Sequence, residues 1–238
     1  TGWLPIDFTS STLGSSIPSL PIDPKNNSSY YYTFISDGTN FELDCVLESK
    51  TYRDKMTNDG GDRSDRYEVG SSLYYNLRDT GPAGGLIFYD KGSYSGSPSW
   101  RYLEAAPSDQ ANSVWGTCPL YVYGADGTAI GTGYQNTLVI IADDPLPNKA
   151  ADRCADLSIV NNGITYDDWF LPSQDELNLM YTNLKVYGVG GFADSYYWSS
   201  SGLAYQGNNQ ARSQNFSNGT QYSSEKNTTR CVRAVRAF

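Results

Sequence analysis

The chain has 238 residues and a net charge of −9, from 26 acidic and 17 basic residues, and it contains no histidine. The acidic balance disfavours nucleic acid as a partner, because phosphate binding depends on clustered Lys and Arg. The lack of histidine excludes Ser-His-Asp triads, Cys-His dyads and zinc sites that use imidazole. No apolar run approaches the roughly 20 residues of a membrane-spanning helix. No catalytic set is therefore expected.

Four cysteines, Cys45, Cys118, Cys154 and Cys231, lie far apart and form no C-x-x-C motif. A zinc site or a thioredoxin-type redox motif is therefore not expected. In an exported protein, an even number of cysteines favours disulfides. The spacing alone leaves their pairing open.

The first part of the chain is predicted to form a small antiparallel sheet. Residues 30–35 are strongly β-prone, residues 36–39 form a hairpin turn, and residues 40–47 form the partner strand. The alternation of apolar residues in the second strand predicts a core face made of Phe41, Leu43, Cys45 and Leu47.

The segment Asn58–Asp62 concentrates oxygen-bearing side chains in a short Gly-containing stretch. Such a loop can hold calcium. A solvated turn that uses Asn, Asp and Gly for their backbone freedom is the favoured interpretation. No cofactor is therefore expected, with calcium kept as the alternative.

This first region resembles the globular part of type IV pilins and type II secretion pseudopilins. The resemblance is carried by Leu20–Pro24, by Tyr30–Tyr32, by the Asp37–Leu43 hairpin and by the Asp59–Gly61 loop. In that family a hydrophobic N-terminal helix anchors the subunit in the membrane and packs the filament. The sequence given does not contain that helix. The resemblance implies an ectodomain of a longer protein, linked to a membrane only through that helix, with other pilin subunits as candidate partners.

A Gly/Pro-rich stretch at residues 79–85 separates two regions of different pattern. It predicts two domains, residues 1–78 and residues 79–238. Beyond the boundary, short apolar runs predict strands at residues 86–90 and 102–106.

Helices are predicted at residues 135–141 and 149–157, and in the second of them Ala150, Ala151, Cys154 and Leu157 stand at helical spacing. The clearest helix signal follows Trp169. Ser173 is a natural N-cap residue, and Glu176, three positions later, completes a capping box.

The basic residues concentrate near the C-terminus, where Arg233 and Arg236 alternate with Val232, Ala234 and Val235. This alternation predicts an edge strand or a half-exposed strand rather than a basic patch.

Between Tyr196 and the C-terminal strand the chain is rich in Asn, Ser, Gly and Tyr. Regularly placed anchors remain inside this polar stretch: Ala211, Gln214, Phe216, Gly219, Gln221 and Lys226. Anchors of this kind keep a fold in place while the residues between them can be exchanged. Adaptable binding loops on a rigid scaffold have this organisation.

From Gly84 to Phe238 the chain resembles the C-type-lectin-fold domains akin to formylglycine-generating enzymes. Three signatures carry the resemblance: Trp-Phe-Leu-Pro-Ser-x-x-Glu-Leu from Trp169, Tyr-Trp-Ser-Ser-Ser from Tyr197, and Val-Arg-Ala-Val-Arg from Val232. Within that family the chain is most similar to the variable proteins of diversity-generating retroelements. In those proteins, adenine-directed mutagenesis rewrites chosen codons, and the changed side chains form an exposed ligand-binding face.

The resemblance implies an α+β fold class, with a small pilin-like antiparallel sheet domain followed by a C-type-lectin-like α+β domain. It also implies a set of diversified, ligand-binding positions: Leu203, Tyr205, Asn208, Asn209, Ser213, Asn215, Ser217, Thr220, Tyr222, Ser223 and Ser224. Two departures from the family affect the positions within residues 202–210. Arg212 stands where relatives often carry Trp, and residues 202–210 form a longer stretch than usual.

The same resemblance implies a disulfide between Cys154 and Cys231, an extracellular location at the cell surface, and a protein ligand on another cell or on a phage. Formylglycine-generating activity is not expected, because that chemistry uses two nearby cysteines and copper, and no such pair is present. The tripeptides of calcium-dependent lectins are also missing. An alternative is a structural filament subunit with an invariant lectin-like decoration, or a fixed adhesin. Sister copies that differ only within residues 202–229 would favour the binding protein.

Overall fold

The computed structural model describes residues 25, 30–36, 41–56, 66–70, 75–93, 97, 100–161, 163–203 and 209–238. About 20% of the chain is helical and 30% is strand, which confirms the predicted mixed α+β class. The chain divides into two compact units, Thr1–Tyr74 and Tyr75–Phe238. The boundary predicted from the Gly/Pro-rich stretch, after residue 78, falls four residues later.

The first unit contains an antiparallel sheet in the order β1-β2-β3. Its strands are β1 (Thr33–Ser36), β2 (Phe41–Cys45) and β3 (Tyr67–Gly70), and a 3-10 helix spans Lys50–Met56. The β1–β2 pair is the hairpin that the β-prone sequence predicts.

The predicted core face of β2 is wrong at Leu43. Its side chain is 37% exposed, whereas its neighbour Asp44 is 5% exposed. Asp44 is buried beside Arg66, whose Nη1 lies 3.4 Å from the Asp44 carboxylate, and Arg66 also donates from Nη2 to the Tyr31 hydroxyl at 2.7 Å. These contacts allow Asp44 and Arg66 to face inward, because a charge can be buried when it is paired and hydrogen-bonded. Alternation identifies two faces of the strand but does not say which of them is covered.

The second unit is built from ten strands and three α-helices among its described residues. The strands are β4 (Leu86–Asp90), β5 (Tyr102–Ala105), β6 (Gln110–Ser113), β7 (Ile159–Asn161), β8 (Ile164–Tyr166), β9 (Tyr196–Gly202), β10 (Gln210–Asn215), β11 (Gln221–Glu225), β12 (Arg230–Val232) and β13 (Val235–Ala237). The helices are α1 (Gly133–Asp143), α2 (Ala150–Ala155) and α3 (Gln174–Asn183), and a 3-10 turn spans Lys185–Tyr187. The strands form a five-stranded sheet β11-β10-β9-β12-β6, a three-stranded sheet β13-β5-β4 and the hairpin β7-β8.

Helix α3 begins as the sequence predicts. The Ser173 hydroxyl accepts from the Glu176 backbone N–H at 3.3 Å, and the Glu176 carboxylate accepts from the Ser173 backbone N–H at 2.6 Å. This reciprocal pair is the predicted capping box. Burial raises the pKa of Glu176 above its usual range, against the hydrogen bonds that favour its charged form. Leu177 and Met180, one helical turn apart, then bury the inner side of the helix.

The five-stranded sheet separates two apolar layers. Trp198 and Val232 belong to the layer that includes residues of α1 and α2, whereas Tyr197 belongs to the layer that includes residues of α3. This division follows from the alternation of side chains along a strand. Consecutive residues of β9 and β12 therefore serve opposite layers.

The two layers rule out the predicted disulfide. Cys154 lies in the first layer and Cys231 in the second, and both are free thiols. Cys231 is paired in register with Tyr197, so its side chain points away from the face that α2 covers. Burial raises the pKa of both thiols.

The C-terminal strands are buried, which corrects the prediction of a half-exposed strand. Arg233 and Arg236 are 2% and 6% exposed. The Arg233 Nε donates to Asp109 at 2.7 Å, and the Arg236 Nε donates to Asp168 at 2.8 Å. β13 does lie at the end of its sheet, but Phe170 pairs with Val235 there. The arginines that look like an exposed stripe in the sequence are internal ion-pair partners.

Candidate functional site

The candidate surface is formed at one end of the five-stranded sheet, where β9, β10 and β11 run side by side. Tyr196 lies opposite Asn215, and Trp198 lies opposite Ser213. On the other side of β10, Ser213 lies opposite Tyr222. A row of side chains therefore runs across the three strands on one face.

The serines that follow Trp198 form an irregularity in β9. The register moves from Trp198 opposite Ser213 to Gly202 opposite Ala211, so β9 carries extra residues there. All three serines are buried. The Ser199 hydroxyl donates to the Arg212 carbonyl at 3.0 Å, and the Ser201 hydroxyl donates to the Gly127 carbonyl at 2.7 Å. The Tyr-Trp-Ser-Ser-Ser signature thus fixes the base of the surface.

Buried anchors hold the next strand and the segments around it. Gln214 is 1% exposed, and its Nε2 donates to Asn178 of α3 at 2.8 Å and to the Gly219 carbonyl at 2.9 Å. Lys226 is 2% exposed, and its Nζ donates to the Leu120 carbonyl at 2.7 Å. Burial lowers the pKa of Lys226 below its usual value. These internal contacts fix the position of the backbone independently of the exposed side chains.

The turn between β10 and β11 is fixed largely by its own backbone. The Asn215 carbonyl accepts from the Gly219 N–H at 2.7 Å, and the Asn215 side chain accepts from the Ser217 N–H at 2.9 Å. Gly219 has a φ of +79°, which favours glycine, and a Cβ there would overlap the ring of Tyr181. The turn therefore depends on Asn215 and Gly219, and the side chains of Ser217 and Thr220 project into solvent.

The sequence-derived binding positions fall into four groups. Four are exposed: Ser217, Thr220, Tyr222 and Ser223. Three are half-buried: Leu203, Asn209 and Asn215. Two are buried: Ser213 and Ser224. The remaining two, Tyr205 and Asn208, lie outside the described residues.

The expectation of an exposed side chain is wrong for Ser213 and Ser224. They are 2% and 6% exposed, and their hydroxyls are hydrogen-bonded to each other at 2.8 Å. Both point to the face of the sheet that carries Trp198, since Ser213 lies opposite Trp198. They therefore share a face with Tyr196 and Tyr222 but are buried among their neighbours.

Sequence reasoning missed two residues of the surface, Tyr196 and Arg230. The Tyr222 ring meets the Tyr196 ring edge-on, with 5.4 Å between centroids. The Arg230 Cζ lies 4.4 Å from the centroid of Tyr196 and 5.2 Å from that of Trp198. Strand alternation could have indicated both residues, because side chains two positions apart share a face. Tyr196 shares a face of β9 with Trp198, and Arg230 shares a face of β12 with Val232.

Polar contacts continue around the edge of the sheet. Arg212 donates from Nη1 to the Ser223 hydroxyl at 3.0 Å, and Gln174 of α3 donates from Nε2 to Gln221 at 2.7 Å. Arg230 donates from Nη2 to the Ser224 hydroxyl at 2.7 Å, and burial lowers its pKa. Arg212 and Ser223 form the pair next to Ser213 and Tyr222, so their side chains point to the opposite face of the sheet. The face that carries Tyr222 thus combines tyrosine rings, hydroxyl groups and one arginine, Arg230.

Within the described part of the chain, no group of three or more Cys, Asp or Glu side chains could hold a metal ion. The oxygen-rich loop at residues 58–62 lies outside the described residues. Likewise, no helix in the described ranges has the length and apolar character needed to cross a membrane.

Comparisons of the chain with models of known protein families and with curated proteins gave no match. The ligand class therefore has to be inferred from the chemistry of the surface itself.

Proposed function

We propose that the unit Tyr75–Phe238 is a non-enzymatic ligand-binding domain with a C-type-lectin-like fold, similar to the variable proteins of diversity-generating retroelements. It binds a protein ligand on another cell or on a phage through the surface formed by β9, β10, β11 and the turn after Asn215. The N-terminal unit is a pilin-like base that displays this domain outside the cell.

One observation carries the proposal: fixed and exchangeable positions alternate along the same short stretch of chain. Ala211, Gln214 and Phe216 are fully or almost fully buried. Ser217 and Tyr222 lie between or beside such anchors and are exposed. Replacing an exposed side chain removes few internal contacts, so the surface can change while the fold remains.

The exposed chemistry suits protein recognition. Tyrosine buries a large apolar area at low cost in conformational entropy, and Ser, Thr and Asn supply adaptable hydrogen bonds. Tyr222 is 40% exposed while its ring is already oriented against Tyr196. A preoriented ring loses little freedom when a ligand covers it.

A second candidate is a structural filament subunit in which this domain only packs against its neighbours. One observation favours it: the β7–β8 hairpin exposes Val160 and Ile164, at 69% and 55%. Val160 lies opposite Thr165 and Ile164 opposite Asn161, so the two apolar side chains point to opposite faces of the hairpin, and a packed neighbour on either face would cover one of them.

Two matched libraries test the proposal. The first randomises Ser217, Thr220, Tyr222 and Ser223 together, and the second randomises Ala211, Gln214, Phe216 and Lys226. We expect most members of the first library to keep a cooperative unfolding transition near the wild-type temperature, and most members of the second to lose it. The first library should also yield binders when panned against an unrelated protein such as lysozyme. Equal loss of folding in both libraries, or no binders from the first, would contradict the proposal.

A further inference from the structure

A guanidinium group lies in the middle of the candidate surface. Arg230 of β12 lies beside Tyr196 of β9, because the next residues of the two strands, Cys231 and Tyr197, are paired in register. The row on this face therefore runs from Tyr222 through Tyr196 to Arg230. Four strands of one sheet contribute to it, counting Ser213 of β10.

The contacts of the half-buried Arg230 differ from those of the strongly buried arginines in this unit. Those arginines each bind a carboxylate: Arg101 to Asp90 at 2.6 Å, Arg233 to Asp109 at 2.7 Å and Arg236 to Asp168 at 2.8 Å. Arg230 forms no ion pair with any described residue. Its Nε is buried without a hydrogen-bond partner there, and one donor of Nη2 contacts the Ser224 hydroxyl.

This lack of a carboxylate does not follow from a shortage of acids, since the chain has 26 acidic and 17 basic residues. An arginine has five N–H donors, and leaving them unpaired near a protein interior is unfavourable. An incoming carboxylate would satisfy them with paired, charge-assisted hydrogen bonds. Arg230 therefore has unused capacity for an anion.

The surroundings of Arg230 hold its side chain in one orientation. Its guanidinium stacks near two rings, Tyr196 and Trp198, and is held on one edge by Ser224. Aromatic faces stabilise a guanidinium that keeps its charge. A preoriented cation next to an exposed tyrosine can receive a carboxylate without first losing its own flexibility.

We propose that Arg230 is a fixed anion-binding residue of the ligand surface, and that the domain selects protein segments that present an Asp or Glu side chain beside Tyr196 and Tyr222. This inference rests on the proposed function. Arg230 lies outside the predicted diversified positions, so the preference for acidic ligands is common to all variants of the surface. The exchangeable residues then determine which acidic segment binds.

The test pans a phage-displayed library of random linear peptides against the full 238-residue chain and three variants. Arg230→Met removes the charge, Arg230→Lys keeps it, and Arg212→Met removes a control arginine that also lacks an ion pair among the described residues. We expect Asp and Glu to be enriched in peptides selected by the wild type and by Arg212→Met. Arg230→Lys should retain a weaker enrichment, and Arg230→Met should lose it.

A double-mutant cycle then separates ligand contact from structural support. For a selected peptide, changing its acidic residue to the amide should weaken binding to the wild type by about tenfold or more. The same peptide change should have almost no effect on binding to Arg230→Met, because the charged partner is already missing. A purely structural role for Arg230 would leave the effect of the peptide change unaltered.

The outcomes distinguish the inference from the proposed function. Peptides that bind without acidic enrichment, or an amide change that weakens binding to the wild type and to Arg230→Met equally, would overturn the role of Arg230 and leave the binding function standing. Loss of the acidic preference in Arg212→Met alone would also overturn it. If no peptide binds any form of the chain, both the inference and the proposed function fail.

Discussion

The hydroxyl groups of Ser213 and Ser224 lie 2.8 Å apart between β10 and β11, buried among their neighbours. Ser224 also accepts from Arg230, so one small hydroxyl connects two strands to a third. A substitution at either serine should therefore affect the stability of the binding surface more than its direct contacts with a ligand.

Ser213→Ala should lower the free energy of unfolding by about 1 kcal/mol, because it removes one partner of a buried hydrogen bond. The matched control is Ser223→Ala, at the exposed position next to Ser224 in the sequence. It should change the free energy of unfolding by less than about 0.5 kcal/mol. Urea denaturation of the three proteins measures both differences. Equal effects at the two positions would show that the buried pair contributes no more than an exposed hydroxyl.

Gly219→Ala should destabilise the turn for two reasons. Its φ of +79° is unfavourable for alanine, and the added Cβ meets the ring of Tyr181. Gly191 also has a positive φ, +63°, but a Cβ there would meet nothing within 4 Å. Gly191→Ala should therefore lower the free energy of unfolding by about 1 kcal/mol, from backbone strain alone. Gly219→Ala should lower it by more, because the contact with Tyr181 is added. Thermal unfolding compares the two, and equal losses would mean that Tyr181 does not constrain the turn.

Tyr197 should make stability depend on pH in the alkaline range. Burial raises the pKa of Tyr197 above its usual value, and the hydrogen bond that its hydroxyl donates to Asp109 at 2.6 Å adds to this. Above pH 10 the unfolded chain ionises this phenol while the folded chain keeps it protonated. The stabilisation is thus complete below about pH 10 and is lost above it, by up to about 1.4 kcal/mol per pH unit.

The variant Tyr197→Phe lacks this ionisation. Its deficit in stability relative to the wild type should therefore be largest at pH 7 to 9 and should narrow above about pH 10. Tyr222→Phe serves as the control for the loss of one exposed phenol. Denaturation curves at several pH values give the result, and a deficit that stays constant through pH 11 would contradict the assignment.

The thiols should behave as free and unequal groups. Cys154 is completely buried and its pKa is raised well above the usual value by burial, whereas Cys118 is only half-buried. Because the thiolate is the reactive form, a maleimide reagent should label Cys118 much faster than Cys154 in the folded protein. A reducing agent should leave the unfolding temperature unchanged. If reduction lowered the unfolding temperature by several degrees, and mass spectrometry showed residues 154 and 231 linked, the disulfide would be present and the free-thiol assignment would be wrong.

The sequence predicted those elements that are determined by short-range interactions. The capping box at Ser173 and Glu176 is one, since both partners lie within one helical turn. The strands at Leu86–Asp90 and Tyr102–Ala105 are others, because their apolar runs are short and bounded by turn residues.

Features that depend on residues distant in the chain could not be predicted from the sequence. The burial of Asp44 depends on Arg66, which is 22 positions away, and alternation alone does not choose the covered face. The inward orientation of Ser213 depends on its register with Trp198 across an irregular strand pair. The position of Arg230 next to Tyr196 depends on the parallel pairing of β12 with β9, which no local pattern indicates.

The central claim is that the exposed residues of this surface are exchanged by diversification while the anchors stay constant. Sequencing the gene together with any near-identical template repeat from the same genome tests it most directly. We predict substitutions only at template adenines and only within codons 202–229, at exposed positions such as Ser217 and Tyr222 and never at Gln214 or Phe216. Differences that scatter evenly along the gene, or a genome with no such repeat, would contradict the claim and favour a fixed adhesin or a decorated filament subunit.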